Sequence, residues 1–155
     1  MNDKFHLIAH RGNLNGVNHK WENHPDYLLE AVKEGYDIEV DVWLDDSHQF
    51  EPYNGLYLGH DYPTHKVCVE FLQENYVWAH AKNYRALQFL LEQNVHCFWH
   101  QEDDHTLTSK GYIWTYPGKP VTRNSVIVKL DNGSYDLYKD KCSGYCSDYL
   151  YRLKP

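Results

Sequence analysis

The stretch Tyr36-Asp37-Ile38-Glu39-Val40-Asp41-Val42-Trp43-Leu44 alternates, with Ile38, Val40 and Val42 on one face and Asp37, Glu39 and Asp41 on the other. Successive side chains of a strand point to opposite faces, so this is a β-strand with one apolar and one acidic side. Upstream, Phe5-His6-Leu7-Ile8-Ala9 reads as a buried strand, broken by Gly12 and a loop rich in Asn and Gly. Pro25 suits the first turn of a helix whose Tyr27, Leu28, Ala31 and Val32 share a face, and Gly35 stops it. Downstream, residues 49–60 read as a hairpin about Asn54-Gly55 and residues 67–74 as a short helix. Residues 77–82 read as a strand, and 84–93 as a helix with Ala86, Leu87, Leu90 and Leu91 in phase. Residues 95–99 follow as a strand. Strands and helices in alternation predict parallel strands covered by helices.

After Trp99 the pattern changes. Strands are predicted over 111–116, 125–130 and 144–149, joined by loops with little helical periodicity. No repeat or linker divides the 155 residues, so one α/β domain over 1–155 is expected. A full (β/α) barrel takes about 250 residues. The expectation is therefore a minimal or incomplete TIM-type (β/α) barrel with a helix-poor second half. An uncovered face would favour a homodimer.

A formal net charge of −7 with no basic run disfavours nucleic acid as a partner. Residues 1–10 hold no long apolar run and nothing later reaches spanning length, so no signal peptide or membrane span is expected. The expected location is cytoplasmic. Cys68 and Cys97 sit in apolar runs and read as buried thiols; Cys142 and Cys146 form a lone pair without a second pair at zinc-ligand spacing. The sequon Asn132-Gly133-Ser134 reads as a turn.

Chemistry gathers in four fragments: Ile8-Ala9-His10-Arg11-Gly12, Glu39-Val40-Asp41, Gly59-His60-Asp61 and His80-Ala81-Lys82. Ionisable groups at the carboxyl ends of parallel strands converge on one mouth. Glu39 and Asp41, two apart on a strand, offer a seat for a hard cation. Arg11 as a fork and Lys82 as a point charge could neutralise a phosphodiester.

With Glu22-Asn23, these fragments resemble the glycerophosphodiester phosphodiesterase family. Trp114-Thr115 and the Ser147-Asp148 that follows Gly144 are similar to its later segments. The resemblance implies a TIM-barrel relative that hydrolyses a small glycerophosphodiester-like or sugar-phosphate diester. His10 and His60 would be its general acid/base pair, Arg11 and Lys82 its phosphate-binding groups, and Glu39 and Asp41 its metal ligands. Where the family carries a carboxylate as third ligand, this chain has His80. Mg2+ or Ca2+ is the first expectation, and an imidazole ligand adds Mn2+ or Zn2+. Glu22, His100 and Trp114 are further pocket candidates. Cleavage through a cyclic phosphate, in the manner of phospholipase C and sphingomyelinase D, uses the same residues. So does a module that binds a phosphorylated ligand without turnover.

Overall fold

In the computed structural model, which describes residues 4–45, 55–133 and 138–153, the acidic strand forms as β2 (Asp37–Leu44). It pairs in parallel with β1 (His6–His10) on one side and β5 (Val77–Ala81) on the other. From β5 the parallel path continues to β6 (Cys97–Phe98). From β1 it continues through β10 (Gly144–Ser147) and β9 (Ser125–Lys129) to β8 (Ile113–Thr115). Three short strands run antiparallel: β3 (Leu56–Leu58) on β2, β4 (His65–Lys66) on β3, and β7 (His105–Leu107) on β8. Neither β4 nor β7 was expected from the sequence, since each is too short to show alternation.

Among the described residues, three helices serve the first half: α1 (Pro25–Lys33), α2 (Val69–Leu72) and α3 (Tyr84–Glu92). Pro25 opens α1 as read, and the His24 side chain accepts a hydrogen bond from Asp26 N as its cap. Asn83 caps α3 by accepting from Ala86 N at 2.9 Å. After α3 the described residues hold no α-helix, only a closing 3-10 turn at Leu150–Leu153. The outer side of β9 and β10 is covered instead by Phe5, Val121 and Leu153 packed on Ile127, Cys142 and Tyr145. Among the described residues no helix is long and apolar enough to cross a membrane.

The sheet is curled. Phe98 of β6 and Trp114 of β8 lie at opposite ends of the parallel path, yet their rings stack at 4.4 Å. The two ends are joined by Ser109 N donating to Cys97 O (2.8 Å) and Thr106 Oγ1 donating to Trp99 O (2.9 Å). No strand ladder closes the curl among the described residues. The fold is thus a mixed α/β domain whose sheet is compatible with an incomplete barrel.

Curling separates the two faces that β2 displays. Ile38, Val40 and Val42 face outward into the main core with Leu28, Ala31, Ala86 and Leu90 from the helices. The inner side carries Ile8, Trp78, Phe98, Trp114, Val126 and Cys146. Towards the amino ends of the strands the interior is closed by hydrogen-bonded polar groups. Asp37 accepts from Lys4 Nζ at 3.0 Å and pairs with His6 Nδ1 at 2.7 Å, and His6 Nε2 meets Tyr112 Oη at 3.1 Å. Burial of Asp37 is tolerable because both its oxygens have a partner.

His96 belongs to this floor, buried against Trp78 with Nε2 2.8 Å from Thr108 Oγ1. Burial, then the charges of Lys110 and His6, push its pKa from 6.5 down to about 3. Between those values the unfolded chain takes up a proton that the folded protein refuses. Stability should therefore fall as pH drops from 6.5 towards 3, by up to about 1.4 kcal/mol per unit from this residue. His96→Gln keeps a partner for Thr108 and cannot titrate. Urea unfolding at pH 4 and pH 7 should show a smaller difference for the variant; an equal difference would remove His96 as the cause.

Three sequence expectations need correction or lie elsewhere. Cys68, expected to be a buried thiol, is exposed, because the helix begins only at Val69 and Cys68 is the position before it. Cys97 is a buried free thiol, as read, and Cys142 and Cys146 are free and buried as well. Residues 49–54 of the expected hairpin and Ser134 of the sequon fall outside the described residues; what is described is Gly55 and the β2–β3 pairing across that connection.

Candidate functional site

At the carboxyl ends of the parallel strands lies a cavity of about 660 Å³. It is lined by His10, Arg11, Glu22, Glu39, His60, His80, Lys82, His100 and Trp114, every candidate except Asp41. Asp41 lies beneath, fully buried, in contact with several of them.

Local backbone explains this convergence. After β1 the chain turns sharply: Arg11 and Gly12 both have positive φ (54° and 89°), and Arg11 N donates to Glu39 O at 3.0 Å. Gly12 has no substitute there, because a Cβ would stand 2.9 Å from Tyr27 Cδ1. Where β1 stops beside Glu39, β3 takes over the edge of β2, and Gly59 N donates to Asp41 O at 3.1 Å. That single bond brings His60 to the mouth. His80 arrives because Asp41 and His80 are partners in the β2–β5 register.

Asn23 holds Asp41 by both ends of its amide. Asn23 Nδ2 donates to Asp41 Oδ2 and Asp41 N donates to Asn23 Oδ1, each at 2.9 Å. Arg11 Nε lies 3.0 Å from Asp41 Oδ2. The other carboxylate oxygen, Oδ1, faces His80 Nδ1 at 3.3 Å and Lys82 Nζ at 3.4 Å, yet is buried without a hydrogen-bond partner. One ligand atom each from Glu39, Asp41 and His80 falls within 4.8 Å of the others. A buried acceptor left unbonded is costly, and here its neighbours are one other ligand atom, His80 Nδ1, and the Lys82 ammonium. The donor set fits a divalent cation.

Charge supports the same fit. Glu22, Glu39, Asp41 and Asp148 meet two permanent cations, Arg11 and Lys82, an excess of two acidic groups. The two strand acids respond in opposite ways. Burial pushes both upward; for Asp41 the adjacent His80, Arg11 and Lys82 more than reverse this and hold the carboxyl well below the usual range. For Glu39, burial and the neighbouring Asp41 charge leave the carboxyl above its usual value. His80 packs flat against two rings, its centroid 4.6 Å from His100 and 5.1 Å from Phe98, which themselves lie 6.1 Å apart. Burial and then His80 lower the pKa of His100, favouring its neutral form.

His10 is held by a residue that sequence reasoning placed only in a supporting motif. His10 Nδ1 sits 2.8 Å from Asp148 Oδ1, so Nδ1 carries the proton and Nε2 faces Glu39 at 4.0 Å. Burial lowers the His10 pKa, but the bond to Asp148 and the Glu39 charge outweigh it, and the value lies above 6.5. His60 is different. Its side chain is 44% exposed and its Nδ1 pairs with Asp61 at 2.7 Å.

Asn13 was missed altogether. Fully buried, its Nδ2 donates to Glu22 Oε1 and to Asp148 Oδ1, both at 2.8 Å, while its Oδ1 accepts from Tyr27 Oη (3.1 Å) and Asn18 N (3.3 Å). One amide thus fixes the carboxylate beside Arg11 and the carboxylate behind His10. Asn13→Ala should destabilise the fold by about 2–3 kcal/mol, since two buried carboxylates lose a shared donor. Urea unfolding checks this; a change under about 0.5 kcal/mol would mean that solvent replaces the amide.

No protein-family model, no curated protein and no solved structure matches this chain.

Proposed function

We propose that this chain is a phosphodiester hydrolase assisted by a divalent cation, a shortened TIM-type relative of the glycerophosphodiester phosphodiesterases that its motifs resemble. The observation that carries the reading is one cavity lined by His10, His60, Arg11 and Lys82 over the Glu39–Asp41–His80 cluster. Two imidazoles for proton transfer, with two cations and a cation seat for the charge on phosphorus, suit cleavage of a P–O bond.

Glu39, Asp41 and His80 would hold the cation, which when bound supplies Lewis-acid polarisation of a phosphoryl oxygen. His10 exchanges its proton at Nε2, because Asp148 occupies Nδ1. Asp61 at His60 Nδ1 leaves Nε2 as that ring's working atom in the same way. One histidine takes a proton from the attacking water and the other gives one to the departing alkoxide. Arg11 and Lys82 meet the negative charge that builds on the phosphoryl oxygens. Asn23, clamped on Asp41, keeps the carboxylate from turning away.

The test is phosphomonoester release from glycerophosphocholine and glycerophosphoethanolamine with Mg2+, Ca2+ or Mn2+, and after chelation. Turnover should appear with a divalent cation and fall at least about tenfold on chelation. Mn2+ should serve at least as well as Mg2+, because an imidazole ligand suits the softer ion. Absence of turnover with every cation would remove the hydrolase reading.

A further inference from the structure

The mouth of the cavity has two unlike sides. The strands β10, β1, β2 and β5 bring the charged groups Asp148, His10, Asp41 and Lys82. The far side carries the apolar groups, with His100, Gln101, Asp103 and Thr106 between Trp99 and Trp114. Trp114 and Tyr116 at the end of β8, Val128 and Leu130 at the end of β9, and Trp99 after β6 line the same cavity, and Val17 joins them. Gly16 N donates to Asp148 O, which sets the Val17 loop over the end of β10, next to β9. Trp114, Tyr116, Val128, Leu130 and Val17 therefore form one arc from β8 across β9 to the loop over the end of β10, while Trp99 stands apart beside β5 and Lys82.

Exposure varies along this arc. Trp114 is buried at depth, whereas Tyr116, Val17 and Leu130 are 58%, 48% and 40% exposed at the rim. Single exposed apolar side chains are ordinary on protein surfaces. Three around the rim of one charged cavity, continuous with buried tryptophan, form a strip rather than a scatter. A polar alcohol arm gains nothing from such a strip. A second cavity of about 570 Å³ shares Arg11, Glu22 and His60 and is lined by Lys20, Tyr62, Thr64 and His65, so a polar arm has room of its own.

We propose that the substrate is amphiphilic: a phosphodiester whose second arm is an alkyl or acyl chain lying along Trp114, Val128 and Leu130 towards the rim. This rests on the phosphate position assigned under the hydrolase reading. A chain fits better than a compact ring because the apolar surface runs lengthwise from depth to rim.

Binding separates this inference from turnover. With Mg2+ present, the affinities of ethyl phosphate and octyl phosphate are compared below micelle formation, with inorganic phosphate as competitor. Octyl phosphate should bind at least tenfold more tightly and be displaced by inorganic phosphate. In Leu130→Asp and in Val17→Asp, both at exposed positions where folding tolerates the change, that advantage should fall below threefold. Equal affinities for the two esters would overturn the amphiphilic arm while leaving the phosphate site standing. An advantage that survives both substitutions, or resists phosphate competition, would place the chain elsewhere and also overturn it. If neither ester binds, the phosphate site itself fails, and the inference with it.

Discussion

Replacing His10 by alanine should lower kcat/KM for a glycerophosphodiester by about 100- to 10,000-fold, the range expected for loss of a positioned acid/base group. The geometry makes His10 the more constrained of the two imidazoles. Asp148 fixes its tautomer at 2.8 Å, and Asn13 fixes Asp148 in turn at 2.8 Å. His60→Ala should cost activity on the same scale, yet the two variants should differ in stability. His60 is 44% exposed and pairs only with its exposed neighbour Asp61, so its removal should leave unfolding within about 0.5 kcal/mol of wild type. Loss of His10 leaves a buried carboxylate short of one partner and should cost about 1–3 kcal/mol. Steady-state kinetics beside urea unfolding reads both quantities. A His10→Ala protein as active as wild type would exclude His10 from proton transfer.

The second large effect concerns the two strand acids, which look interchangeable in the sequence and are not. Asp41→Asn removes the charge that faces Arg11, Lys82 and His80 at 3.0–3.4 Å inside the protein. Breaking a buried ion pair by deleting one partner typically costs about 3–5 kcal/mol, which for a domain of this size lowers Tm by about 10 °C. Glu39→Gln should behave otherwise. Burial and the Asp41 charge raise the Glu39 carboxyl above its usual value where the surrounding cations hold Asp41 below it, so a neutral isostere at Glu39 should destabilise the protein less than Asp41→Asn does. Both variants should lose at least tenfold in Mn2+ affinity, measured by calorimetry, because each removes one of three candidate ligands. Equal destabilisation by the two substitutions would contradict the opposite electrostatic settings. Unchanged Mn2+ affinity in both would remove the cation seat.

Much of this was legible in the chain because strand alternation is a local signal. Ile38, Val40 and Val42 against Asp37, Glu39 and Asp41 became the outer and inner sides of the curled sheet, and Pro25 and Gly35 bounded their helix as read. The same alternation could have found Asp148, two residues beyond the buried Cys146 on the inner side of the last strand. Asn13 had no such signal. It lies in an Asn- and Gly-rich loop, and its partners Glu22 and Asp148 meet only when the first and last strands pair. The short strands β4 and β7 escaped for a related reason, since tertiary pairing rather than propensity creates them. His19 belongs to none of the four fragments, yet its Nδ1 lies 3.3 Å from Glu22 at the cavity edge. Cys68 shows the converse: an apolar neighbourhood in sequence, and an exposed position once the chain turns into α2.

The most direct measurement is phosphorus NMR of glycerophosphocholine incubated with Mn2+ and the wild-type protein, beside His10→Ala and His60→Ala. The account predicts a phosphomonoester resonance that grows with wild type and is slowed at least about 100-fold in each variant. A diester signal that stays intact with wild type, or that decays equally in all three, would contradict it.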